Sequence, residues 1–290
     1  MNESTANTRS KIFFIASMSI FGTIGLFRRY IDLGSGTLAM LRGLIGAAFL
    51  FFFLLFTKKG IDKGAVKKNL LKLIVSGILI GFNWILLFEA YNYTTVATAT
   101  LCYYMEPVIV ICVSPFFFKE KITLKKAICV AVALCGMALV SGIFSTSFNG
   151  AKDLKGILLG LGAALLYSTV VIINKCLGVI DAYSKTSIQL ASAGIVLIPY
   201  VLLMEDVNSI KLTPMLVIMV LLVGLLHTGT AYAMYFGSIS QIKAQTVALL
   251  SYIDPIVAVI LSATVLHEHM SLSGWIGAVL VIASMIVSEL

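Results

Sequence analysis

In a chain of 290 residues, 60% are hydrophobic and 12% charged, with a mean hydropathy of +1.04. A soluble domain is about half apolar and a quarter charged, so water-soluble, collagen-like, coiled-coil and disordered classes are excluded. The net charge of +8 does not form a basic stripe for nucleic acid. It falls between apolar runs, where Lys and Arg set membrane orientation. The composition predicts an all-α polytopic membrane protein.

At ~20 apolar residues per crossing, the chain predicts ten transmembrane helices, near 11–31, 36–57, 70–91, 95–117, 122–144, 154–176, 184–204, 213–236, 243–266 and 271–288. Breaks fall at Lys58-Lys59-Gly60, Lys119-Glu120-Lys121, Ser145 to Lys152, Gly178 to Lys185, Glu205 to Lys211, Gly237 to Lys243 and His267 to His269. The first run ends in Phe27-Arg28-Arg29 without a small-residue cleavage site, and so reads as a retained span. With the N-terminus inside, fifteen Lys and Arg lie on the cytoplasmic side and five outside. The positive-inside bias therefore predicts that both termini are cytoplasmic. The five cysteines lie within apolar runs, form no Cys-x-x-Cys pair and read as free thiols.

The chain also repeats itself. An offset of 148 brings Tyr104-Met105-Glu106-Pro107 onto Tyr252-Ile253-Asp254-Pro255, Phe88 onto Phe236, Ser114 onto Ser262 and Glu120 onto Glu268. Upstream, an offset near 147 pairs Arg28 with Lys175 and Arg42 with Gln189. Two units follow, 1–148 and 149–290, each with five spans. Since five is odd, the second unit enters the membrane from the opposite side. Inverted five-helix repeats are a construction of secondary transporters, whose site lies between the halves.

Glu106 and Asp254 are the first candidates for that site. A carboxylate within hydrocarbon costs about 2.5–3.5 kcal/mol on insertion scales and marks function by default. Each precedes a proline, which removes a backbone donor and kinks the helix. An acid at such a kink can exchange a proton for a positively charged substrate. Trp84 and Phe88 share a helix face at i, i+4 spacing, and Tyr103 lies three residues before Glu106. With Tyr104, Tyr232 and Tyr235 they form a candidate aromatic cage for an ammonium. Asn83 and Tyr167 are polar groups within spans that must find a neighbouring helix or a substrate. Arg28, Arg42 and Lys175 sit near span ends, where long side chains snorkel. His267-Glu268-His269 lacks further convergent ligands and predicts no metal site. No nucleophile elbow, phosphate-binding loop or zinc-hydrolase motif is present, so neither an enzyme nor a cofactor is expected.

The doubled Tyr-x-x-Pro, followed by Glu120-Lys121-Ile122-Thr123-Leu124 and Glu268-His269-Met270-Ser271-Leu272, resembles the EamA-type branch of the drug/metabolite transporter superfamily. Arg42 resembles an arginine such proteins carry early in the second span. Phe21-Gly22 and Tyr167-Ser168 depart from the Trp-Gly of many members. The resemblance implies a carrier in the inner cell membrane, usually exporting small metabolites through a cavity lined by spans 1, 3, 4, 6, 8 and 9. The expected partners are a small-molecule substrate, protons and the lipid bilayer. The reading is a proton-coupled exporter of an organic cation or amino acid. Its alternatives are a carrier of neutral or aromatic amino acids with structural carboxylates, and a non-transporting receptor or scaffold.

Overall fold

The computed structural model describes residues 3–58, 60–118, 123–140, 150–239, 242 and 250–289. The predicted breaks at 119–121 and 145–149, the start of the ninth span at 243–249, and the extreme termini lie outside the described residues. Among the described residues every element is helical: α1 (Glu3–Gly22), α2 (Ile24–Arg29), α3 (Ser35–Phe56), α4 (Lys63–Tyr93), α5 (Val96–Tyr103), α6 (Glu106–Phe118) and α7 (Leu124–Val140). The second half continues with α8 (Ala151–Lys175), α9 (Ala182–Met204), a 3₁₀ turn (Val207–Ser209), α10 (Pro214–Leu221), a π-helical stretch (Leu222–Thr230), α11 (Ala231–Ile239), α12 (Ile253–Thr264) and α13 (Leu272–Glu289).

Helix starts follow from local chemistry. Asp62, Thr95, Asp181 and Thr213 each accept a backbone N–H three residues on, which satisfies a donor the first turn leaves orphaned. The Asp62 cap starts α4 earlier than the apolar pattern alone, which begins near 70. The added turns carry Lys63, Lys67 and Lys68. At 1.5 Å per residue, a helix of 31 residues outreaches the ~30 Å hydrocarbon core.

Among the described residues, seven helical segments, Thr8–Arg29 through Pro214–Ser238, are long and apolar enough to cross a membrane, and shorter apolar helices accompany them. Phe56, Phe116 and Leu203 are more than four-fifths exposed. Large apolar side chains presented in such number suit lipid rather than water. The chain is a polytopic membrane protein.

Cross-contacts gather the connections at two ends. At one end Arg29 donates to the Thr94 carbonyl, Lys155 Nζ to the Tyr93 hydroxyl, and Gly36 N to Glu205. At the other, Lys72 Nζ donates to the Cys176 carbonyl and Asp62 N to Ser184 Oγ. Helices α3 and α9 run antiparallel between these ends. Gly36 meets Glu205, Gly43 meets Gly194 at mid-length, and Phe53 lies 5.4 Å from the Tyr183 ring. A Cβ on Gly43 would stand 2.9 Å from Gly194 N, so only glycine allows this approach. Helices α7 and α13 also cross antiparallel, with Gly136 against Val281 and Gly277 against Val140. These are the helices that the sequence offset equates, and each counterpart runs opposite to its mate.

Candidate functional site

Among the described residues, four of the predicted spans depart from regular α-helix. α5 stops at Tyr103 and α6 resumes at Glu106, with Tyr104 and Met105 in a turn ahead of Pro107. Tyr252 forms the matching turn before Ile253 and Pro255. Thr23 separates α1 from α2, and its hydroxyl bonds the Ile20 carbonyl and His227 Nε2 at 2.8 Å. In the π-helical stretch Thr228 Oγ1 donates to the Val223 carbonyl. Each break substitutes a turn or a side-chain bond for a regular i→i−4 bond.

A cavity of about 450 Å³ lies among these breaks, within the size range of small-molecule sites. Its lining takes matched positions from both halves: Phe21 and Tyr167, Arg42 and Gln189, Trp84 and Tyr232, Tyr104 and Tyr252, Glu106 and Asp254. At one end the lining reaches Asn174 and Lys185, close to the Cys176 and Ser184 contacts. At the opposite end the helices are bonded to one another. There Glu268 accepts from Arg29, from Val96 N at 2.7 Å and from Ser262 Oγ at 2.6 Å. Glu205 caps the start of α3 through Gly36 N and Thr37.

Of the residues singled out from sequence, Glu106, Asp254, Trp84, Tyr103, Tyr104, Tyr167, Tyr232 and Tyr235 line the cavity. Tyr104 sets its hydroxyl against the Asp254 carboxylate, and Arg42 lies within electrostatic reach of the same group. Glu106 has no hydrogen-bond or ion-pair partner among the described residues; Tyr103, Tyr167 and Tyr235 lie within reach of its charge. The Tyr103 and Tyr167 rings meet at a tilt, 5.7 Å apart, and Tyr232 stacks on Phe236 at 5.8 Å.

Two expected site residues stand elsewhere. Phe88 is fully buried in the helical core and is not part of the cavity wall. Asn83 is likewise buried, and its Nδ2 donates to the Ala163 carbonyl at 2.6 Å, joining α4 to α8. Membrane helices use such bonds as glue worth about 0.6–2 kcal/mol. Asn83→Ala is therefore expected to lower thermal stability by that order while leaving substrate affinity unchanged, as read by unfolding and binding curves on one preparation.

Arg42 corrects the sequence reading most. It does not snorkel to an interface. It is 6% exposed, its Nε donates to Thr228 Oγ1 at 2.8 Å, and its guanidinium carbon lies 4.3 Å from the Trp84 ring centre and 5.8 Å from Phe88. The aromatic pair expected to cage a substrate ammonium holds the protein's own cation. Helices α3 and α9, absent from the expected lining, contribute Arg42 and Gln189 because the Gly43–Gly194 contact draws both helices to the centre. The signal available was the pairing of two polar residues, Arg42 and Gln189, one turn or more inside apolar runs. Glu268 is a second omission: its motif was visible, its partners were not.

With this geometry in view, likeness to known proteins decides the family. The EamA-like transporter family profile matches residues 8–142 and again 154–289, which together span α1 to α13. The chain belongs to the EamA-like transporter family. It is 29% identical over 278 residues to the uncharacterized transporter YxxF of Bacillus subtilis (strain 168), covering 93% of this chain and 86% of that one. An uncharacterized transporter of Archaeoglobus fulgidus is 24% identical over 280 residues and is covered to 94%, as is this chain. A solved crystal structure superposes with a TM-score of 0.69 at 18% identity over 97% of both chains, which supports the fold. As an EamA family member the protein is a multi-pass membrane transporter of a small molecule.

Proposed function

We propose that the protein is a secondary active carrier of the cell (inner) membrane that exchanges protons for a small organic cation or amino acid by alternating access. Ten spans form two inverted five-helix units, 1–148 and 149–290, with both termini cytoplasmic. The observation that carries this reading is the cavity itself. Both intramembrane acids face it at helix interruptions, and matched positions of both units wall it. Discontinuous helices around a midplane site between inverted repeats are how secondary carriers rock one bundle against the other. The end bearing Asn174 and Lys185 is the cytoplasmic one by the distribution of Lys and Arg. The form described is then open inward, with export as the expected net direction.

The test is flux into liposomes under an imposed pH gradient, with panels of amino acids and amines. Saturable uptake that rises with the gradient, and is reversed when the gradient is reversed, supports the reading. Saturable flux of neutral amino acids indifferent to the gradient would favour a carrier whose carboxylates are structural. Binding of panel members without any flux would favour a receptor.

A further inference from the structure

The outward-facing seam between α4 and α8 holds a second recess, apart from the central cavity. Leu86 of α4 and Ala151, Leu154, Leu158 and Leu159 of α8 line a groove of about 330 Å³, with Lys155 in its wall. The α8 positions recur at intervals of three and four, so the groove follows one face of that helix. Leu154 and Leu158 are 45% and 59% exposed. Further along the same face is Gly162, where an added Cβ would stand 3.2 Å from Leu86 Cδ1. At 1.5 Å per residue, Gly162 lies about 10 Å from Lys155 along the axis. A recess with such walls takes hydrocarbon rather than water.

The ammonium at the mouth of the groove is held in place. Lys155 Nζ donates to the Tyr93 hydroxyl at 2.7 Å and lies 4.0 Å from the centre of the same ring. Tyr93 is the last residue of α4, so the cation is fixed where the two helices meet. An ammonium has three donors. Tyr93 takes one, and among the described residues no other side chain bonds or ion-pairs with Lys155. Lys152, exposed and three residues earlier, adds a second positive charge on the adjoining turn. Asp153 removes one of the two, and the turn stays positive. Lys and Tyr collect at headgroup depth. A phosphate at Lys155 would therefore sit among headgroups while its acyl chain runs down the groove.

We infer that this seam is a binding site for one anionic phospholipid, its phosphate on Lys155 and one chain against Leu86, Leu154 and Leu158. Charge complementarity selects the headgroup, because the ammonium of a choline or ethanolamine lipid would face two lysines. The distribution of Lys and Arg puts this end outside, so the lipid belongs to the outer leaflet. The site is separate from the transport cavity and does not depend on what the cavity carries.

The test is native mass spectrometry of the full-length protein in detergent, titrated with phosphatidylglycerol, with phosphatidylcholine of the same chains, and with glycerol 1-phosphate, which has no chains. Phosphatidylglycerol should be retained as a single adduct, at a concentration about 5-fold or more below that needed for phosphatidylcholine. Lys155→Gln should weaken that adduct about 5-fold, and Lys155→Arg should retain it. Leu158→Trp fills the groove without changing charge and should remove the adduct. Lys211→Gln, an exposed lysine on another loop, should leave it unchanged. A thermal unfolding curve of each lipid-free variant matching that of the parent shows that the loss is not one of folding. Equal retention of the two lipids overturns the inference, as does full retention of phosphatidylglycerol by both Lys155→Gln and Leu158→Trp. Glycerol 1-phosphate binding as tightly as the lipid would show an anion site without a chain groove, and would overturn it as well.

Discussion

Glu106→Gln is expected to lower flux driven by an imposed pH gradient about 5- to 150-fold, the range of a coupling free energy of 1–3 kcal/mol, while the protein still assembles. Glutamine keeps the size of the side chain and cannot lose or gain a proton. Glu106 lines the cavity at the break between α5 and α6 and has no ion-pair partner among the described residues. Its removal therefore orphans no neighbouring charge, and the loss should fall on coupling. Asp254→Asn should behave differently. Asp254 stands beside Tyr104 and within reach of Arg42, so the amide leaves a cavity cation less compensated and should weaken binding as well as coupling. The measurement is initial flux at a series of internal and external pH values for each variant. Unaltered pH dependence in Glu106→Gln would show that the carboxylate is structural.

The second large effect is expected at the closed end. Glu268 gathers Arg29 of α2, the first backbone N–H of α5, and Ser262 of α12 onto one carboxylate. Hydrogen bonds to a charged group contribute about 1.5–3 kcal/mol net, so Glu268→Gln should shift the ratio of closed to open forms at this end roughly tenfold or more. Spin labels at Asp206 and His269, both exposed near this end, report the change as a larger population of long distances. A distance distribution identical to that of the parent would show that Glu268 staples the fold without gating it. Glu120, its sequence counterpart, lies outside the described residues. On the inverted-repeat reading it would close the cytoplasmic end in the outward-open form.

What could be read from sequence has a physical pattern. Apolar runs of membrane length, prolines after acids and the 148-residue offset are local or periodic signals. They locate the helical segments, the breaks at Tyr104 and Tyr252, and the two acids on the cavity wall. Contacts between distant helices leave no such trace. The i, i+4 spacing of Trp84 and Phe88 put both rings toward Arg42, as their distances show, but not which of them reaches the cavity. Arg42 looked like a snorkelling side chain because its partner Thr228 lies 186 residues away. The π-helical stretch that presents Thr228 follows from no residue pattern in its span. Asn83 is an example of a polar residue whose partner is a backbone carbonyl rather than cargo, which composition cannot distinguish.

Access to the cavity from alternate sides is the central claim, and labelling of one buried position tests it most directly. Ile80 lies near the middle of α4 and on the cavity wall. With the five native cysteines replaced, Ile80→Cys is exposed to a membrane-impermeant maleimide in inside-out and in right-side-out vesicles. Rapid labelling from the cytoplasmic side, slower labelling from outside, and a rise of the outside rate in the Glu268→Gln background are the results expected. Labelling from a single side in every condition, with Glu268→Gln without effect, would contradict the account.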